Sequence, residues 1–175
     1  MVVTLRTCSH LTLLLCLAMY CYCSAETPTP VDTATNHWYG FNEGIKKAQT
    51  EKKKVVMDFY TSWCGWCKTM DEKVFAEKRV SAYLREKYIC IRINAEDEDG
   101  TLTFQGKTYT PVKLTMAFGV QGFPSVAFLD KELKPITIIP GYVPADTFLK
   151  ILGYMDQECY KKKVSVDEYL KNGCP

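Results

Sequence analysis

The chain predicts a single α/β domain with a central mixed β-sheet flanked by helices. Three observations carry this reading. Four short apolar runs, at 55–60, 88–93, 124–129 and 136–139, have strand length and strand composition. Segments with helical composition or spacing alternate with the first three runs. The last two runs are separated only by a polar turn at 130–134, so they read as a hairpin, and a further helix follows.

Composition sets the bounds. The chain has 175 residues, 47% apolar and 24% charged, with 22 Lys+Arg against 20 Asp+Glu and a formal net charge of +2. These are globular proportions, and they disfavour a disordered, collagen-like or multi-span membrane chain. The near-neutral balance gives no electrostatic case for nucleic-acid binding. One domain of this length can bury its own core.

Residues 1–25 read as a secretory signal peptide. Arg6 gives a weakly positive start, and the run at 11–19 (LTLLLCLAM) is too short for a conventional membrane span. Cys23, Ser24 and Ala25 supply small residues at the two positions that a signal peptidase inspects, which places cleavage after Ala25. A buried N-terminal helix or a membrane anchor is the competing reading. A lipoprotein site is disfavoured, because Cys16, Cys21 and Cys23 each follow a large residue. Of nine cysteines, Cys8, Cys16, Cys21 and Cys23 leave with this segment, and Cys64, Cys67, Cys90, Cys159 and Cys174 remain. Export means an oxidising compartment, so these five should be redox-active, bridged or buried.

The elements then follow in order. Residues 26–35 are Pro- and Thr-rich and read as a tether, with the folded domain spanning 36–157 and a C-terminal extension at 158–175. Trp38, Phe41, Ile45 and Ala48 fall on one helical face, with Lys46, Lys47, Glu51 and Lys52 mostly on the wet side. The run at 55–60 reads as a central strand, in which Asp58 is an anomaly. Residues 64–76 have helix-forming composition, continued at 80–87 after a bend. The run at 88–93 is a second buried strand, and Cys90 within it reads as an inert buried thiol.

Residues 95–110 read as a polar insertion. It holds the acidic cluster Glu96 to Asp99, expected to be a solvated turn, and a hairpin around Gln105, Gly106 and Lys107. A short helix is expected at 111–118. Pro144 suits the first turn of a helix running to Met155, whose apolar residues are Phe148, Leu149, Ile151, Leu152 and Met155. Ser165 and Glu168 form a capping-box pattern for a last helix around Tyr169 and Leu170.

The sharpest chemical signal is WCGWCK at 63–68, where a strand gives way to a helix. Two cysteines at this spacing can close a small disulfide. A helix N-terminus favours a thiolate on Cys64, and a thiolate is the nucleophile of disulfide exchange. Cys67, one turn on, can attack the mixed disulfide and release the partner. A zinc site would need more ligands than His37 and one C-x-x-C supply. A c-type haem site would need His where Lys68 stands. A purely structural bridge stays open.

From residue 38 to residue 155 the chain resembles the thioredoxin superfamily. The likeness rests on VVMDFYTSWCGWCK (55–68), CIRINAED (90–97), FGVQGFPSVAFLD (118–130) and IPGYVPADTFLKIL (139–152). Within the superfamily it is most similar to exported, periplasmic bacterial thioredoxin-like proteins. The resemblance implies the thioredoxin fold and a thiol–disulfide oxidoreductase, with Cys64 attacking and Cys67 resolving. It implies no cofactor beyond the redox-active Cys64–Cys67 disulfide.

Asp58 matches the family's buried acid. Such a carboxyl should have a raised pKa and relay the Cys67 proton through water, unless the strand is an edge and the acid is solvated. Arg92 stands where thioredoxins often carry Lys, and whether it pairs with Asp58 or points to solvent is open. Phe123 and Pro124 match the cis-proline site, which leaves backbone free to pair with substrate. Gly141 matches a groove-lining glycine, or is a plain turn residue. Trp63, Gly65 and Trp66 surround the thiols, and Trp66 replaces the Pro or His of better-known members.

The reducing direction is favoured, with protein disulfides as substrates, re-reduction by a membrane partner, and a monomer. An oxidase or isomerase, or a non-catalytic binding or chaperone module, is the alternative. Cys159 and Cys174 lie outside the matched core, and a structural bridge is favoured over a second redox pair.

Overall fold

The computed structural model describes residues 38–175. The expected signal peptide, the tether and His37 lie outside the described residues. The elements run β1 (Trp38–Tyr39), α1 (Phe41–Glu51), β2 (Lys54–Tyr60), α2 (Gly65–Met70), a π turn (Asp71–Phe75), α3 (Lys78–Lys87), β3 (Tyr88–Asn94), β4 (Leu102–Phe104), β5 (Lys107–Tyr109), α4 (Pro111–Ala117), β6 (Ser125–Leu129), β7 (Pro135–Pro140), α5 (Ala145–Asp156), a 3-10 turn (Cys159–Lys162) and α6 (Val166–Asn172).

The main sheet has the order β1-β3-β2-β6-β7. β1 and β2 run parallel to β3, while β6 is antiparallel to both β2 and β7. The sheet is therefore mixed, as expected. Its central strand β2 is buried from Lys54 to Phe59. Both faces are covered, which explains why its sequence is a continuous apolar run rather than an alternation.

Alternation still decides which residue meets which layer. Val56, Cys90, Val126 and Phe128 pack with Met70, Val74, Phe75, Leu84, Phe148 and Leu152 from the helices on one face. Val55, Met57, Phe59, Ile89, Ile91 and Ile93 pack with Phe41, Ile45 and Ala48 of α1 and Leu114 of α4 on the other. Burial of a side chain of this size stabilises by about 1.5–3 kcal/mol. The β4–β5 hairpin, expected around Gln105 to Lys107, brings Phe104 onto the second face.

Four details differ from the sequence reading. Trp38 is not in the first helix; it pairs with Cys90 as part of β1, and the helix starts only after Gly40. The helix expected at 64–76 changes to a π turn at Asp71, where the Ala76 N–H reaches the Asp71 carbonyl at 2.9 Å. The wider turn lets the successive residues Val74 and Phe75 both enter the core. Pro144 is the N-cap of α5 rather than its first residue. The Cys159–Lys162 turn had no counterpart in the pattern.

The C-terminal extension is held covalently. Cys159 is fully buried and bridged to Cys174 across a sequence separation of 15. The Ser165 side chain caps α6 by accepting the Glu168 N–H at 3.1 Å. Tyr154 donates its hydroxyl to the Val164 carbonyl at 2.7 Å. Opening a loop of this length releases about 3 kcal/mol of unfolded-chain entropy. Cys174→Ser should therefore lower unfolding stability by about 3 kcal/mol in denaturant titrations, with the Cys64–Cys67 bridge still closed.

Candidate active site

The chain leaves β2 at Tyr60 and turns through Thr61 to Cys64, which caps α2. The Cys64 N–H donates to the Thr61 carbonyl at 3.3 Å. The Cys64 backbone is extended, as an N-cap requires, and its Sγ accepts the Cys67 N–H at 3.0 Å. Cys64 and Cys67 are joined in a disulfide with their Cα atoms 5.2 Å apart. Both are buried at 4% exposure, whereas Trp63 and Trp66 beside them are 68% and 62% exposed. A Cβ added to Gly65, between the thiols, would meet nothing within 4 Å.

Three loops close around this pair. The Phe123–Pro124 bond is cis. The Trp63 ring meets Phe123 edge-on with centroids 6.3 Å apart, and Trp66 lies on Tyr142 at 5.4 Å. Gly141 has φ +80, a conformation that favours glycine, and its N–H donates to the Pro124 carbonyl at 2.8 Å. Gly141 thus ties the start of the α5 loop to the cis-proline. Trp63 donates its indole N–H to Glu96, and Ser62 donates to the same carboxylate at 3.3 Å.

Asp58 sits in the centre of the sheet with 1% exposure. It is opposite Arg92 on β3 and Val126 on β6. Residues in parallel register face the same way, so Arg92 lies over the same face, and its Nε approaches Asp58 Oδ2 at 3.1 Å. The contact is close but poorly aligned; neither Asp58 oxygen has a hydrogen bond among the described residues. Burial pushes the carboxyl up to about 7, against the opposing pull of Arg92. Asp58 shares its sheet face with the layer that contains α2 and the π turn.

The fold brings the predicted thiols, the cis-proline, Gly141 and the flanking tryptophans together at one end of the sheet, and it places the predicted acid, Asp58, within the sheet on the face covered by the layer that contains α2. The question left open at Arg92 resolves toward contact with Asp58. Three residues were missed. Glu96 lies in the exposed turn that the acidic cluster predicts, and it also accepts the Trp63 indole N–H. Register explains this: Tyr60 pairs with Asn94, so the loops that follow them lie side by side. Asp71, which bonds Arg92 at 2.7 Å, and Tyr142, which meets Trp66, left no pattern in the sequence. Cys90 is the free cysteine among the described residues; burial pushes its thiol up to about 12, consistent with an inert core residue.

The raised Asp58 carboxyl has a stability consequence. The folded chain binds more protons than the unfolded one between the ordinary carboxylate range and about pH 7, so this group costs stability as pH rises through that window. Asp58→Asn should stabilise the protein near pH 8 by up to about 4 kcal/mol, and the gain should fade below about pH 4. Denaturant unfolding at a series of pH values measures it.

Residues 41–156 match the Thioredoxin-like domain family. Among curated proteins, the chain is 28% identical over 148 residues to mouse spermatogenesis-associated protein 20, covering 82% of this chain and 17% of that protein. It is 26% identical over 110 residues to the thiol:disulfide interchange protein DsbD of Campylobacter jejuni, covering 63% of this chain and 18% of that protein. The chain therefore spans less than a fifth of either relative. A thioredoxin-fold protein from Helicobacter pylori superposes with a TM-score of 0.57 at 20% identity, over 69% of this chain and 80% of that one. The fold is the thioredoxin fold, and the chain belongs to the thioredoxin-like family.

Proposed function

We propose that this protein is an exported thiol–disulfide oxidoreductase that reduces disulfides in other proteins through Cys64 and Cys67. The observation that carries this reading is the Cys64–Cys67 disulfide at a helix N-cap, flanked by exposed tryptophans and a cis-proline. Similarity to a thiol:disulfide interchange protein supports the reaction class. The signal-peptide pattern at 1–25 supports export to an oxidising compartment, read as the periplasm.

In the reduced enzyme the Cys64 thiolate attacks one sulfur of a substrate disulfide. A Cys64–substrate disulfide forms, and the second substrate sulfur leaves as a thiolate that takes up a proton. The Cys67 N–H aimed at Cys64 Sγ favours the attacking thiolate. Cys67 then gives up its proton, for which Asp58 is the proposed acceptor, and attacks Cys64 Sγ. The Cys64–Cys67 disulfide closes, the Cys64–substrate bond breaks, and the substrate sulfur first attacked leaves as a thiolate that takes up the second proton. Two electrons pass from enzyme to substrate, and a membrane-protein dithiol returns them. No cofactor takes part, and the enzyme works as a monomer.

The exposed faces of Trp63 and Trp66 supply apolar area beside the reacting sulfur, and the backbone at Phe123, the residue before the cis-proline, supplies polar partners for an extended substrate segment. Insulin-disulfide reduction driven by dithiothreitol tests the reading. Cys64→Ser should abolish turnover. Cys67→Ser should also stop turnover, and should accumulate a covalent substrate adduct that intact-mass analysis detects. Turnover that survives Cys64→Ser would overturn the reading.

A further inference from the structure

Arg92 is shared between two carboxylates. Its Nε lies 3.1 Å from Asp58 Oδ2, and its Nη2 lies 2.7 Å from Asp71 Oδ2. The two acids have unequal surroundings. Asp58 is sealed in the sheet, while the Asp71 side chain is 34% exposed at the start of the π turn. The guanidinium is also fixed by rings. Its carbon lies 4.2 Å from the centroid of Tyr60 and 5.7 Å from that of Trp38. Stacking of this kind holds the plane of an arginine that a lysine could not replace.

This geometry explains an imbalance. Arg92 makes its well-formed hydrogen bond to the outer acid, and only a misaligned contact to the inner one. A guanidinium turned fully toward Asp58 could offer it two parallel bonds and hold it ionised. We propose that Asp71 is a positioning residue: by holding Arg92 outward, it leaves Asp58 short of its cation and so controls the proton that Asp58 carries. The oxidoreductase reading supplies the use of that proton, at Cys67; the positioning itself does not depend on that reading.

The charges that bear on Asp58 are Arg92 from β3 and Asp71 from the π turn, and they act with opposite signs. From β6 it faces the uncharged Val126. Tyr60 and Trp38 touch Arg92 rather than the acid. Removing the Asp71 charge takes away a repulsion and loosens Arg92 toward Asp58. Both effects favour the ionised carboxylate. Removing the Arg92 charge has the opposite effect.

The test is the carboxyl carbon-13 titration of Asp58 in the oxidised full chain, assigned by the signal lost in Asp58→Asn. Asp71→Asn replaces the charge-assisted bond to Arg92 with a weaker neutral one at a partly exposed position, so it loosens Arg92 while the fold is retained. It should move the Asp58 midpoint down by about one pH unit. Arg92→Gln should move it up by a similar amount, and Arg92→Lys should leave it between the two. An Asp58 midpoint that stays put or rises in Asp71→Asn overturns the proposal whether or not the Arg92 variants fold. The pH profile of insulin reduction gives a second readout, whose Asp58-dependent limb should shift the same way. Absence of turnover in the parent protein would sink the oxidoreductase reading while leaving the carboxyl titration to decide the role of Asp71.

Discussion

The parallel, in-register pairing of β2 with β3 organises this site. It places Asp58 opposite Arg92 in the middle of the sheet and Tyr60 opposite Asn94 at its end. The first pairing puts a cation beside a carboxyl buried in apolar surroundings. The second puts the loop bearing Ser62 and Trp63 against the loop bearing Glu96. A slip of one residue would turn Asp58 to the opposite face, toward α1, and break both arrangements at once.

Burial of Asp58 is the energetic tension in the molecule. An unpaired carboxylate in such a place is costly, and a carboxyl responds by keeping its proton. Arg92 offsets part of that penalty but divides its hydrogen bonding with Asp71. The result is an acid poised at about 7 rather than one held firmly ionised. A group poised near neutrality can accept and return a proton under ordinary conditions, which suits the acid–base role proposed beside Cys67. A purely structural ion pair would gain from a straighter contact.

β2, β3, β6 and β7 were legible because each is a short apolar run with clear boundaries, and most of the helices because their apolar spacing or caps survive in the sequence. The C-x-x-C at a strand-to-helix junction and the Asp inside a strand were equally readable, since both break the local rule for their element. What escaped depends on register rather than on pattern. β1 is only two residues long, and Trp38 fits a helical spacing as well as a strand pairing. The π turn arises from the need to bury both Val74 and Phe75, which no helical wheel anticipates. Asp71 and Glu96 look like solvent-facing acids until the fold sets Arg92 and Trp63 beside them.

Direction of electron flow is the central functional claim, and the reduction potential of the Cys64–Cys67 pair tests it most directly. Titration against dithiothreitol or glutathione, followed by tryptophan fluorescence from Trp63 and Trp66, gives that value. A reductant of protein disulfides should show a potential near about −270 mV, in the thioredoxin regime. A potential near about −120 mV would contradict the proposed direction and make the protein a disulfide donor.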